Sequence, residues 1–134
     1  VIVVPVLGQD FLMVKQWRHG EKALSIEFPG GVAEAGEPFE YSARRELLEE
    51  TGYEAGRMTE LAVFNPNPAL FSNHVHVYLA EDLKKTSDQK LDEDEYVDFL
   101  QIPQKEVIAK MGSSEYSHGL MLSALGLYLA KINK

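Results

Sequence analysis

The sequence contains no cysteine, which excludes disulfides and thiolate metal ligands. Its longest apolar runs, VIVVPVL and FLMV, are far shorter than the roughly 20 residues that a membrane span needs. Basic residues are also few: 13 Lys and Arg stand against 21 Asp and Glu, giving a net charge of −8. These absences argue against a membrane or a nucleic acid as partner, and we expect a cytoplasmic protein.

The remaining composition is that of a globular domain, with 45% apolar and 25% charged residues in 134. This length suits one domain with its own core, covering residues 1–134. Because the chain begins at Val1, without methionine and directly in a strand-like run, we expect that an N-terminal region is missing.

The hydrophobic pattern predicts strands, then a helix, then strands, then helices. Predicted strands cover 1–7, 11–17, 21–28, 59–65, 73–80 and 96–102, and predicted C-terminal helices cover 103–111 and 114–132. The polar segment 81–95 is predicted to be a surface loop. This order predicts an α/β fold with a mixed sheet between helices.

The most informative stretch runs from residue 31 to 53, where a glycine loop leads into a helix. Glu46, Glu49 and Glu50 are spaced to share one face of that helix. Carboxylates so close repel one another unless a cation lies between them, and Mg²⁺ or Mn²⁺ prefers such oxygen ligands. The spacing therefore favours a metal site beside a bound phosphate.

The other face of this helix carries an apolar stripe that predicts its docking on a core. The stripe consists of Phe39, Ala43 and Leu47, with Leu48 at its flank. Pro38 is compatible with the helix start, and Gly52 is the expected stop.

At this point the chain resembles the Nudix hydrolase family. The match follows the signature along its whole length, except that Tyr53 replaces the usual bulky aliphatic residue at the last position. The matching residues are Gly31, Glu37, Arg45, Glu46, Leu47, Glu49, Glu50 and Gly52. Chance agreement at the polar and glycine positions is on the order of 10⁻⁸ per start position. The resemblance implies a Nudix-type α/β/α sandwich.

The resemblance also implies metal-dependent hydrolysis of a nucleoside diphosphate linked to another group. In that scheme Glu46, Glu49 and Glu50 bind Mg²⁺, or Mn²⁺, together with the backbone carbonyl of Gly30. Arg45 is expected to orient these glutamates through ion pairs, and Glu37 to brace the loop.

The general base is expected outside the signature. In the family's ADP-ribose pyrophosphatase branch a loop glutamate often takes the proton from water, and the matching region here is 91–95. Glu93 is the first candidate, Glu95 the second, and Asp92 a third. If this acidic cluster is only a solvated loop, Glu49 or Glu50 becomes the expected base.

Residues outside the signature indicate the substrate. Pro68 lies fifteen residues beyond Tyr53, where that branch carries proline, and Arg18 ends a similar strand. Arg18 is a candidate to bind phosphate, and Trp17 or Phe71 to stack on a base. The sequence departs from the branch after Pro68, with Ala69 and Asn73 instead of glycine and an acidic residue. A nucleoside diphosphate sugar is therefore as compatible with the sequence as ADP-ribose is.

The expected partner is therefore a small nucleoside diphosphate derivative, and a homodimer is a family expectation. Two alternatives are a nucleoside triphosphate pyrophosphatase and a non-catalytic nucleotide sensor. His74 and His76 share a strand face, and we interpret them as packing or pocket-wall residues rather than metal ligands.

Overall fold

The computed structural model describes residues 1–91 and 97–133. Within them the chain forms six strands, three α-helices and one 3₁₀ turn at Ser114–Tyr116. The strands and helices, in chain order, are β1 (Ile2–Leu7), β2 (Asp10–Arg18), β3 (Ala23–Glu27), α1 (Phe39–Thr51), β4 (Tyr53–Phe64), β5 (Val75–Lys85), β6 (Asp98–Pro103), α2 (Gln104–Lys110) and α3 (Gly119–Ile132).

The strands form one mixed sheet, in the order β3-β2-β1-β5-β4, with β6 paired to β2. β1 and β5 are parallel, with Ile2 opposite Val77 and Pro5 opposite Ala80. The other pairings are antiparallel. A two-residue hairpin joins β1 to β2, and Gly8 has the positive φ of 62° that such a turn favours.

Helices cover both faces of this sheet. α1 packs Ala43 and Leu47 against Val3, Tyr78 and Ala80 on one face. α3 packs on the opposite face, in a larger core that includes Phe11, Phe28, Val77, Met121, Leu125 and Tyr128. The central strand is buried on both sides, which explains its continuous valine-rich run. The predicted α/β/α sandwich is confirmed.

The ends of α1 agree with the sequence signals. Pro38 is the N-cap residue, and the helix stops at Gly52, whose φ of 79° lies in the left-handed region. The Gly52 N–H donates to the carbonyl of Leu48 at 2.8 Å. An added Cβ at Gly52 would collide with the backbone of Ser87, so glycine is required by packing as well as by φ.

Two predicted strands have the wrong bounds. β4 begins at Tyr53 rather than residue 59, and β5 continues to Lys85 through a segment predicted to be loop. The two strands pair over this added length, with Tyr53 opposite Lys85 and Glu54 opposite Lys84. The added pairs are largely exposed and polar, so apolar periodicity did not reveal them.

The C-terminal helix is also shorter than predicted. The 3₁₀ turn buries Tyr116, and α3 starts only after His118, whose Nδ1 accepts the N–H of Leu120.

In α1 the predicted core role of Phe39 is wrong, since this ring is 45% exposed and stacks on His76. No helix of the described residues has the length and apolarity needed to cross a bilayer.

Phe11 is expected to be a main determinant of stability. It is fully buried, and its ring makes edge contacts with Phe28 and Tyr128 at centroid distances of 5.2 and 5.3 Å. Phe11→Ala should lower the free energy of unfolding by about 3–5 kcal/mol, because it leaves a cavity in the core. Urea unfolding followed by circular dichroism measures this change. Tyr41→Ala, at an exposed aromatic residue, should stay within about 0.5 kcal/mol of the parent, and equal losses would contradict the assignment.

Candidate active site

The loop at Pro29-Gly30-Gly31 is held against the start of β1. The Val3 N–H donates to the Pro29 carbonyl at 2.8 Å, and Gly30 forms an antiparallel bridge with Ile2. An added Cβ at Gly30 would overlap the backbone of Val1 and Ile2. The loop therefore needs its small residue to lie this close to the sheet.

The same loop touches the acidic face of α1. The Gly30 N–H lies 3.4 Å from Oε1 of Glu50, and a Cβ at Gly31 would overlap the carboxylate of Glu46. Glu50 is buried and Glu46 nearly so, with 12% of its side chain exposed, whereas 30% of the Glu49 side chain is exposed. Burial raises the pKa of the Glu46 carboxyl, against the opposing effects of a hydrogen bond with Glu50 and the charge of Arg45.

Arg45 is the cation that holds this group of acids together. Its Nε and Nη2 donate to Glu37 at 2.9 and 3.0 Å. Its Nη1 lies 3.2 Å from Glu46 and 3.3 Å from Glu49, so it bridges the two carboxylates. These hydrogen bonds and charges raise the pKa of Arg45 further above its ordinary value. The ion pairs predicted for Arg45 are present.

Glu37 connects Arg45 to the loop before the helix. It accepts hydrogen bonds from the hydroxyl of Ser42 and from the N–H of Glu34, the latter at 3.3 Å. The hydrogen bonds from Arg45, followed by that from Ser42, lower the pKa of Glu37 to about 2. The carboxylate is thus ionised at neutral pH and braces the loop at Glu34, not at the Pro29-Gly30-Gly31 turn for which the brace was predicted.

The acidic face has the donor chemistry that a hard divalent cation needs. Glu46, Glu49 and Glu50 offer carboxylate oxygens, and the glycine loop leaves the space in which backbone can approach them. Among the described residues no three acidic or histidine side chains already converge on a single point. Arg45 bridges Glu46 and Glu49 in this arrangement, so shared coordination requires these side chains to reorient.

A cavity of about 490 Å³ opens beside the glycine loop. Its polar wall includes Gln16, Arg18 and Glu27, and Gly30 and Gly31 form the border toward α1. Arg18 donates two hydrogen bonds to Glu27, at 2.7 and 2.6 Å, from the cavity wall. Burial alone would raise the pKa of Glu27, but the hydrogen bonds from Arg18 and Ser25 lower it overall. The pair fixes a guanidinium beside the cavity.

Another part of the cavity lining is aromatic. Phe39 and His76 stack with a centroid distance of 3.7 Å and an interplanar angle of 14°. His74, His118 and Met121 also line the cavity. The pocket-wall interpretation of His74 and His76 is confirmed, and His118 joins them from the start of α3.

The structure gathers only part of the predicted substrate residues. Arg18 lines the cavity, whereas Trp17, Pro68 and Phe71 are not among its lining residues. Trp17 is half exposed and donates to His19, and Phe71 lies in an exposed turn closed by the side chain of Asn65. The candidate bases Asp92, Glu93 and Glu95 lie outside the described residues.

Several residues of the cavity wall were missed from the sequence, among them Glu27 and Phe39. Glu27 is a charged residue between the apolar Ile26 and Phe28, and that interruption of a buried run was the available signal. Phe39 fitted the apolar stripe of α1, so periodicity alone assigned it to the core. It lies in the first turn of α1, where its ring stacks on His76 of β5 and lines the cavity instead.

The fold and this site define an α/β/α sandwich in which a glycine loop faces an acidic helix. The family model described as the NUDIX domain matches residues 1–118. The chain therefore belongs to the NUDIX family.

The proteins that this chain resembles include two curated relatives and one solved structure. It is 39% identical to an ADP-ribose pyrophosphatase of Bacillus subtilis, over 78% of this chain and 57% of the relative. It is 36% identical to a methanol dehydrogenase activator of Bacillus methanolicus, over 81% and 60%. The crystal structure of an ADP compounds hydrolase superposes with a TM-score of 0.88 at 24% identity, over 98% of this chain and 71% of that one. The chain thus spans less than two thirds of the length of these two curated relatives.

The brace at Glu37 should make stability depend on pH. Because the pKa of Glu37 falls from 4.5 to about 2 on folding, its contribution is complete above pH 4.5 and is lost as the pH falls toward 2. Glu37→Gln removes this contribution. The difference in unfolding free energy between parent and variant should therefore be larger at pH 7 than at pH 3, as measured by urea unfolding.

A charge-matched control for this prediction is Glu21→Gln, at an exposed turn residue. This change should have a small effect at either pH. If the Glu37→Gln difference were the same at pH 3 and pH 7, the ionised brace would be refuted.

The close approach at Gly30 predicts a contrast between two glycines. Gly30→Ala should lower the free energy of unfolding by about 1–3 kcal/mol, because the new methyl meets backbone that cannot rotate away. Gly20→Ala meets nothing within 4 Å and should change stability by less than about 0.5 kcal/mol. Thermal unfolding compares the pair, and equal effects would mean that the loop is not held as described.

Proposed function

We propose that this protein is a metal-dependent pyrophosphohydrolase that cleaves the diphosphate of ADP-ribose or a nucleoside diphosphate sugar. The products are a nucleoside monophosphate and a sugar phosphate. One observation carries the proposal: the acidic face of α1 borders, through Gly30 and Gly31, a cavity with a fixed guanidinium on its wall. A substrate with two phosphates and two bulky ends matches a site that combines these elements.

In this proposal Glu46, Glu49, Glu50 and the carbonyl of Gly30 hold the metal, which is Mg²⁺ or Mn²⁺. The bound cation supplies charge neutralisation on the phosphate oxygens and a lowered pKa for water. Arg45 holds Glu46 and Glu49 in place until they bind, and Glu37 fixes Arg45 to the loop. The net charge of −8 disfavours an anionic substrate, and the cation together with basic residues such as Arg18 would offset this repulsion locally.

Arg18 is proposed to bind a phosphate oxygen from the cavity wall. Its Nε and Nη2 are occupied by Glu27, which orients the remaining edge of the guanidinium. The stacked pair of Phe39 and His76 offers a flat apolar surface for a base or sugar. The relative at 39% identity is named an ADP-ribose pyrophosphatase, which supports a sugar-linked nucleoside diphosphate over a triphosphate.

The proton of the attacking water needs an acceptor within hydrogen-bond reach. Glu93 remains the first candidate for this general base by the family resemblance. Within the described residues the candidates are Glu49, whose side chain is 30% exposed, and Glu50, which is buried.

The proposal is tested by product analysis with Mg²⁺ on ADP-ribose, GDP- and UDP-sugars and nucleoside triphosphates. We expect a nucleoside monophosphate and a sugar phosphate. Glu50→Gln should reduce turnover at least about hundredfold, because a ligand charge of the metal is lost. Glu40→Gln is the matched control, since Glu40 lies on the same helix but pairs with Arg44 at the surface.

Other outcomes would replace the proposal. Release of pyrophosphate from triphosphates would indicate a triphosphate pyrophosphatase. Saturable nucleotide binding without turnover of any substrate would indicate a sensor. Unchanged turnover in Glu50→Gln would remove the acidic face from the chemistry.

A further inference from the structure

The last turn of α1 leaves backbone carbonyls that the helix itself does not satisfy. Residues 86–90, which follow β5, supply much of their hydrogen bonding. The N–H of Lys90 donates to the carbonyl of Glu49 at 2.7 Å, and the N–H groups of Thr86 and Ser87 donate to that of Gly52 at 2.9 and 3.2 Å. A distant segment therefore caps the helix that carries the acidic face.

One contact in this cap comes from a side chain. The amide of Gln89 donates to the carbonyl of Glu50 at 2.6 Å and to the carbonyl of Val97 at 3.1 Å. Val97 is buried and directly precedes β6. Since a side-chain amide has two N–H donors, one Gln89 joins the acidic helix to the start of a strand that pairs with β2.

Gln89 contacts the backbone carbonyl of Glu50, and the side chain of Glu50 reaches the glycine loop. The Glu50 carboxylate is 3.4 Å from the Gly30 N–H, and the side chain is buried. A shift of the helix end would move the backbone of Glu49 and Glu50, and with it the oxygens offered to a cation. Binding sites tolerate displacements of only about 0.5 Å before their geometry is lost.

We propose that Gln89 is a positioning residue for the metal site, acting through the backbone of Glu50. This inference rests on the proposed function, because it concerns the ligands of the proposed metal. Lys90 holds the adjacent carbonyl through its main chain, so Gln89 is the member of the cap that substitution can remove without changing the backbone. Its role is distinct from that of Arg45, which acts on the carboxylates themselves.

The test compares Gln89→Met, which keeps the side-chain length and removes both donors, with Gln101→Met. Gln101 is an exposed glutamine on β6 whose amide donates to Asp10 at 2.8 Å. Mn²⁺ alone is titrated into each protein, and free Mn²⁺ is followed by electron paramagnetic resonance. We expect Gln89→Met to raise the Kd for Mn²⁺ by roughly 10- to 100-fold, the usual effect of losing a partner that orients a ligand.

Turnover provides a second readout on the same proteins. Gln89→Met should lower kcat with little change in KM for substrate, while Gln101→Met should match the parent in both Mn²⁺ binding and kcat. Gln89→Asn keeps an amide one methylene shorter, which cannot bridge both carbonyls, and should show a smaller loss in the same direction. If Gln89→Met does not fold, Gln89→Asn is the variant that tests the proposal.

The outcomes separate the two proposals. If the parent binds Mn²⁺ and turns over substrate, and the Gln89 variants have the same Kd for Mn²⁺ and the same kcat, the role of Gln89 is refuted. A lowered melting temperature with unchanged Mn²⁺ affinity would also refute it, because it would indicate a purely structural bond. If the parent neither binds Mn²⁺ nor turns over substrate, the proposed function itself fails.

Discussion

The repulsion among carboxylates on one face of α1 is the constraint on which the site depends. Glu46, Glu49 and Glu50 lie within one helical turn of a protein that is already strongly acidic. Arg45 offsets this repulsion by bridging Glu46 and Glu49 while anchored by Glu37. A divalent cation would supply more positive charge at the same place, and Glu46 and Glu49 would then exchange their contacts with Arg45 for contacts with the proposed metal.

The sheet provides the rigid support for this acidic face. The buried stripe of α1 docks Ala43 and Leu47 on the central strands, and Glu46 and Glu50 lie against the glycine loop. The loop at Gly30 is bonded to the start of β1, the strand that lies in the middle of the sheet. Helix α1 and the glycine loop are therefore both held against β1. This shared support keeps Gly31 and Glu46 in contact.

The fold was largely predictable because its signals are local or periodic. The valine-rich β1, the amphipathic α1 and the stop at Gly52 all confirmed the sequence analysis. The errors arose where exposed pairing replaced hydrophobic burial. The extension of β5 to Lys85 is stabilised by backbone hydrogen bonds to β4 and carries few apolar residues. The sequence therefore shows no hydrophobic periodicity that would have predicted this part of the strand. Phe39 shows the converse case, an apolar residue that fits the periodic stripe but lines the cavity instead of the core.

The sequence alone determined the acidic helix, its spacing and its glycine stop, because residues three and four apart on a helix are neighbours whatever the fold. Only the tertiary structure decided what surrounds that helix. Arg18 and Glu27 lie on the adjacent strands β2 and β3 without being directly opposite each other, and Gln89 reaches Glu50 across 39 residues of chain. Such contacts depend on how strands pair and where their ends fall, which requires the whole sheet to form.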